Sequence, residues 1–212
     1  MDDENPEHTA TPTPEREGWS RGRIVGAALG GGLVLMVAAF LVIGLFRDSG
    51  SSRIIDQAVR DGEAYQAPDF TLPVTNAAGP VTGPELTLSE LRGHPIVLNI
   101  WASWCTSCPD EADNLDRIWT RYRDDGVVVL GINSQDEPDK AQAFIAKYGV
   151  TFPNVREGND RVARDYGTAN MPETFLIDPD GQIRFLPIRG PIDDAIEQQI
   201  TAHLDRVIAT GS

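Results

Sequence analysis

The sequence predicts an α/β domain, a central β-sheet flanked by helices on both faces, preceded by one N-terminal transmembrane helix. Three observations carry this. Residues 24–46 (IVGAALGGGLVLMVAAFLVIGLF) run for 23 positions without a charge. Apolar, β-branched runs at Pro95–Ala102 and Val127–Asn133 read as buried strands and alternate with segments of helical period. A late hairpin and a closing helix follow, so the sheet is covered on both faces.

The apolar run comes first. A helix rising about 1.5 Å per residue over this length spans the ~30 Å hydrocarbon core. A cleaved signal peptide would show a shorter apolar region, about 7–15 residues, and a small-residue cleavage site. Leu45-Phe46-Arg47-Asp48 offers none, so residues 24–46 are read as an uncleaved anchor. Arg16, Arg21 and Arg23 precede it, while Arg47 and Arg53 follow, a charge bias that only slightly favours an inner N-terminus. A dithiol useful outside a reducing cytosol argues the same way. The expected placement is a single-pass cell-membrane protein with its N-terminus cytoplasmic and its domain on the extracytoplasmic side. Residues 1–23, polar and carrying Pro6, Pro12 and Pro14, read as a disordered cytoplasmic tail. Residues 47–66 read as a polar linker with helical character at Arg53–Asp61, and residues 67–212 as the folded domain.

Within the domain, Pro68–Pro73 is expected as a short strand and Asn76–Pro80 as a loop. Glu85–Leu88 is a second strand, with Ser89 capping a single turn over Glu90–Arg92. After the Pro95–Ala102 strand a helix begins at Cys108, Pro109 taking an early position where its missing N–H costs little. Ala112, Leu115, Ile118, Trp119 and Tyr122 share one face of it, and Asp124-Asp125-Gly126 ends it. Val127–Asn133 is a second buried strand. A helix over Pro138–Tyr148 stops at Gly149. Thr151–Val155 is a strand and Arg161–Tyr166 a short helix. Thr174–Ile177 and Ile183–Ile188 are strands joined by the turn Asp178-Pro179-Asp180-Gly181. Asp193–Ile208 closes the domain as a helix with Ile196, Ile200, Leu204, Val207 and Ile208 on one face.

Composition excludes several functions. The net charge of −14 argues against nucleic-acid binding. Two cysteines are too few for a disulfide framework, and a zinc site wants four ligands. His8, His94 and His203 stand at no ligand spacing from the cysteine pair, so no metal is expected. His94 reads as a turn residue and His203 as a helix-surface residue. What remains is redox chemistry at Cys105 and Cys108, a C-x-x-C between a strand and a helix. Cys105, at the helix N-terminus and facing solvent, is stabilised as a thiolate by the dipole and free N–H groups. It attacks a substrate disulfide, and Cys108, one turn inward, resolves the mixed disulfide.

Glu111 lies one turn beyond Cys108. A partly buried carboxylate there raises both thiol pKa values and shuttles a proton; a first-turn acid merely complements the dipole, as Asp110 and Asp113 do. Residue positions leave both readings open. Pro172 is either a cis turn or an ordinary strand-start proline. Trp104 is expected to shield Cys105 and touch substrate, with Trp101 in the core. Met171 and Glu173, flanking Pro172, are further candidate substrate contacts.

The string from Asn99 to Glu111 (NIWASWCTSCPDE), with Met171–Asp178 (MPETFLID), resembles the active centre of thioredoxin-like proteins. It is most similar to the membrane-tethered TlpA/ResA/CcmG (DsbE-like) group, over Ala67 to the C-terminus. Plain thioredoxin has a buried aspartate six residues before its first cysteine; this chain has Asn99, as the tethered group does. That group's glutamate three residues after its second cysteine is matched by Glu111, and the long Cys108–Pro172 segment resembles the group's extra segment. The resemblance implies a thioredoxin-like fold with a mixed central sheet and a functional Glu111. It implies a cis Pro172 facing the disulfide, which leaves neighbouring backbone free to pair with an extended substrate. It further implies no cofactor beyond the Cys105–Cys108 disulfide, and protein thiol or disulfide substrates. The leading activity is reduction of disulfides in exported proteins such as apocytochrome c, whose C-x-x-C-H motif must be reduced before haem attaches. Electrons would come from a membrane thiol transporter. A disulfide-forming oxidase uses the same residues at a higher potential, and Thr106-Ser107 departs from the Pro-containing dipeptides that would help decide. A copper-delivery module would use the dithiol as a Cu(I) ligand pair, against which stands the lack of a Met- or His-rich segment. Ala67-Pro68-Asp69-Phe70 also resembles thiol peroxidase openings, but such a centre wants threonine where this chain has Ala102.

Overall fold

The computed structural model describes residues 50–210. Its strands are β1 (Tyr65–Gln66), β2 (Thr71–Asn76), β3 (Glu85–Thr87), β4 (Ile96–Trp101), β5 (Val128–Ser134), β6 (Asn154–Glu157), β7 (Glu173–Ile177), β8 (Gln182–Ile183) and β9 (Ile188–Arg189). Its helices are α1 (Gly50–Arg60), α2 (Ala112–Tyr122), α3 (Pro138–Tyr148), α4 (Arg161–Asp165) and α5 (Asp194–Thr210). The predicted tail (1–23) and transmembrane helix (24–46) lie outside the described residues. Among those described, no helix is long and apolar enough to cross a membrane.

The strands form one mixed sheet in the order β1-β8-β7-β4-β5-β6-β2-β3, with β9 also on β7. β4 runs parallel to β5 and antiparallel to β7. β4 and β5 are buried at every position, as their mainly apolar runs predict, and the burial takes in Asn99, Asn133 and Ser134 as well. Alternation along β4 divides the core. Ile96, Leu98 and Ile100 join Leu88, Phe175 and Tyr166 on one side of the sheet. Val97 joins Leu115, Ile118, Ile200 and Leu204 on the other. Each such fully buried aliphatic contributes about 1.5–3 kcal/mol. Arg117 of α2 clamps the start of α5 through Glu197 and Asp194, at 2.6 and 3.0 Å.

Several boundaries differ from the sequence reading. The linker over 47–66 is, from residue 50, part of the folded unit. Ile55 of α1 is 0% exposed within the core, and β1 pairs with β8. The strand expected over 68–73 is β2, Thr71–Asn76, because Asp69 is committed to Ser89. Its carboxylate accepts from the Ser89 N–H at 3.0 Å and the Ser89 hydroxyl at 2.8 Å. Ser89 therefore caps nothing; the single turn is a 3₁₀ helix over Leu88–Leu91. The helix at Cys108 opens as a 3₁₀ turn, Cys108–Glu111, before α2. β6 begins at Asn154, after Pro153, rather than at Thr151. The predicted strand Ile183–Ile188 is two pieces, β8 and β9, because Pro187 has no N–H for the ladder. The turn Asp178–Gly181 closes as expected, the Gly181 N–H donating to the Asp178 carbonyl at 2.8 Å with Gly181 at φ 82°.

Candidate active site

The site grows from the C-terminal end of β4. Trp101 is fixed by donating from Nε1 to Asn154 Oδ1 at 2.8 Å and by stacking on Phe144 of α3, ring centroids 4.6 Å apart. Beyond it the chain turns, the Cys105 N–H donating to the Ala102 carbonyl at 3.2 Å. Cys105 and Cys108 form a disulfide with Cα atoms 5.5 Å apart. The Cys108 N–H, at the start of the 3₁₀ turn, donates to Cys105 Sγ at 3.1 Å. That donor, with the helix end behind it, is placed to stabilise a thiolate on Cys105 once the bond is reduced.

Cys105 is 6% exposed, so it meets solvent narrowly. It opens on a groove of about 440 Å³ lined by Trp104, Thr106, Gln135, Arg164, Asn170 and Met171, among others. Trp104 is 56% exposed, its Nε1 donating to the Gln135 carbonyl at 3.0 Å. Met171 packs against the cluster holding both cysteines, and the Met171–Pro172 peptide is cis. Met171 brings the loop before β7 to the groove beside Cys105.

Glu111 is not a surface acid. It ends the turn that Cys108 begins, and in a 3₁₀ helix side chains at i and i+3 eclipse, so both share a face. It is 1% exposed. Oε1 accepts from Asn99 Nδ2 at 2.8 Å and Oε2 from the Ile192 N–H at 3.1 Å. Asn99 Nδ2 also donates to Thr174 Oγ1 at 3.0 Å. Burial raises the carboxyl pKa from 4.5 to about 7 against the opposing pull of those two donors. The carboxyl is therefore poised to take or give a proton near neutral pH beside Cys108.

Glu173 corrects the sequence reading. It was expected to touch substrate, but it is 1% exposed and lies on the Phe175–Ile177 side of β7, away from Glu111. Arg189 Nε stands 3.2 Å from its Oε1, and Arg189 Nη2 donates to Asp56 of α1 at 2.9 Å. Thr168 Oγ1 and Glu173 Oε1 are both buried without a hydrogen-bond partner, the Arg189 contact being an ion pair. Burial raises the Glu173 pKa to about 7, with Arg189 pulling it back. His94 is a turn residue, its Nδ1 donating to the Gly126 carbonyl at 2.7 Å. His203, rather than lying free on a helix surface, packs edge-on to Phe185, and burial lowers its pKa. Sequence reasoning gave no role to Asn99, Thr174 or Ile192, although the asparagine standing where plain thioredoxin has aspartate was a signal for the first.

The model of the AhpC/TSA family matches residues 64–186. The chain belongs to the AhpC/TSA family. Within that family it is similar to the thiol-disulfide oxidoreductase ResA of Geobacillus thermodenitrificans, 31% identical over 141 residues, covering 66% of this chain and 75% of the relative. It is also similar to the thiol:disulfide interchange protein DsbE of Allochromatium vinosum, 34% identical over 167 residues, with 76% and 82% covered. A crystal structure of a DsbE-type thiol:disulfide interchange protein from Chlorobium tepidum superposes with a TM-score of 0.59 at 29% identity, covering 66% of this chain and 96% of that one. The resemblance drawn from NIWASWCTSCPDE is thus the right one. This AhpC/TSA member is a thiol–disulfide oxidoreductase with a thioredoxin-like fold, and its redox centre is the Cys105–Cys108 pair itself.

Proposed function

We propose that the chain is a membrane-tethered reductase acting on disulfides of exported proteins, with apocytochrome c as its first client. The carrying observation is Glu111, buried beside Cys108 with a pKa near 7. A carboxylate there opposes thiolate formation, and a reduced form that charge does not stabilise gives up its electrons readily.

The cycle follows from the geometry. The Cys105 thiolate, facing the groove and held by the Cys108 N–H, attacks one sulfur of a client disulfide. That bond breaks, the other client sulfur leaves and takes a proton, and a Cys105–client disulfide forms. Glu111 takes the proton of the Cys108 thiol. Cys108 then attacks Cys105 Sγ, the second client sulfur leaves and is protonated, and the Cys105–Cys108 disulfide forms. Two electrons pass from the dithiol to the client. The Met171 backbone, before the cis peptide and lining the groove, would pair with an extended client chain.

The apolar run at residues 24–46 supports a tether with the domain on the extracytoplasmic side, and a membrane thiol transporter would re-reduce the pair. The net charge of −14 suits a basic client. The test is the reduction potential, by equilibration in glutathione or dithiothreitol buffers. A value near or below that of thioredoxin, about −270 mV, is expected. A value near −120 mV, roughly that of a strong oxidant, moves the protein to disulfide formation.

A further inference from the structure

Thirty-odd residues from the cysteines, the turn between β5 and α3 reaches back to the dipeptide preceding Cys105. One carboxylate there, Asp136, carries four donors. The Ser103 N–H donates to Oδ2 at 2.6 Å and the Ser103 hydroxyl to Oδ1 at 2.8 Å. Asn133 Nδ2 donates to Oδ2 at 3.0 Å and the Glu137 N–H to Oδ1 at 2.9 Å. The neighbouring residue completes the hold. Gln135 sits at φ 53°, a left-handed conformation rare outside glycine, and its carbonyl accepts from Trp104 Nε1. The turn itself is braced by Arg156 Nη1, which donates to the Asp136 carbonyl at 3.3 Å.

We propose that Asp136 is a positioning residue for the exchange reaction: its carboxylate, with the Gln135 carbonyl, fixes Ser103 and Trp104 so that the Cys105 sulfur is held against the Cys108 N–H. This rests on Cys105 being the attacking thiol. The residues on either side of the clamp are the last fixed points before the cysteine, since Cys105 itself contributes only its turn bond to Ala102 and the Sγ contacts. Burial alone would raise the Asp136 pKa, but its donors outweigh burial and hold it below the usual range, so it stays ionised throughout the working pH range. Its charged neighbours around the same cleft are Glu137, Lys140 and Asp160.

The charge and the position of Asp136 act in opposite directions on Cys105, which makes the inference testable. Removing a nearby negative charge alone would lower the thiol pKa. Releasing the clamp would take the sulfur off its donor and raise it. The experiment uses the full chain in detergent. Asp136→Ala and Ser103→Ala are placed in a Cys108→Ala background, and the pH midpoint of Cys105 alkylation by iodoacetamide is measured. The same two substitutions in the native dithiol are assayed for insulin reduction and thermal melting. The expected result is an upward midpoint in both variants, smaller for Ser103→Ala, which keeps the backbone contact. With it comes a loss of kcat/KM in Asp136→Ala of up to about 10²-fold, the scale of a misplacement near 1 Å. Asp136→Asn, retaining one acceptor oxygen, should fall between. A midpoint unchanged or lowered in a folded variant overturns the proposal, even where melting is affected, since a merely structural role would move the melting alone. Should Asp136→Ala not fold, Ser103→Ala decides the question. A wild-type chain without Cys105-dependent reduction would refute the underlying assignment of the nucleophile instead.

Discussion

Replacing Glu111 by glutamine should flatten a defined part of the stability–pH curve. In the fold its pKa rises from 4.5 to about 7, a span equivalent to about 3 kcal/mol. The sign follows from linkage. Below pH 4.5 the side chain is neutral in both folded and unfolded chains, and its contribution is fully present. Between 4.5 and 7 the unfolded chain loses the proton while the folded one keeps it, so stability falls as pH rises. Above 7 both are charged and the loss is complete. An amide at this position has no such proton. Asn99 can meet it by turning its own amide over, since the Thr174 hydroxyl can then donate instead of accept. The measurement is urea unfolding of the oxidised fragment from residue 50, where the described fold begins, at pH 4.5 and 7.5. The stability difference between wild type and Glu111→Gln should shift by about 3 kcal/mol over that window in the variant's favour. Glu173, also titrating near 7, contributes to both proteins and cancels. Parallel profiles would mean that Glu111 titrates as an ordinary surface acid and serves only the helix dipole. The reduced variant should also show thiol titrations shifted downward.

Cys105→Ala should abolish insulin reduction, whereas Cys108→Ala should trap mixed disulfides visible by mass spectrometry; full activity in the first would reassign the nucleophile. Ile55→Ala should cost about 2–5 kcal/mol in urea unfolding, a loss that a mere linker residue would not produce. Gly131→Ala should destabilise by about 1–3 kcal/mol, because a Cβ there collides with Asn154 and Trp101. A quenched or shifted Trp101 fluorescence would report the same break.

What the sequence disclosed was local. The run Ile96–Trp101 is apolar but for Asn99, and Cys105 and Cys108 stand three apart between it and a helical segment, so the strand and the redox pair were legible from composition and spacing, while the role of Glu111 was not. Features built from distant parts were hidden. Ile55 and Val59 are a single helical step in a short polar stretch, too little to signal a buried face until the sheet is there to cover them. The pairing of Ser103 with Asp136 spans 33 positions and has no motif. Pro153 and Pro187 moved or split strands whose apolar content gave no warning. The burial of Glu173 was within reach, because a period of two from Phe175 and Ile177 turns it inward. Its nearness to Pro172 suggested contact with substrate instead.

The division of the core by β4 has a consequence for how the molecule tolerates change. Asn99 and Trp101 project to the side of Val97, so Glu111 and the cysteine cluster are suspended from one layer, and the layer of Ile96, Leu98 and Ile100 holds Glu173 and Glu157. Side chains in separate layers share few partners, and substitutions more than about 7–10 Å apart without shared partners combine by simple addition, within about 0.3–0.5 kcal/mol. Variants at Tyr166 in one layer and at Leu204 in the other, which share no cluster, should therefore behave as independent losses. The second layer can be reshaped for stability away from Met171, which touches both it and the cysteine cluster, while the first keeps the chemistry.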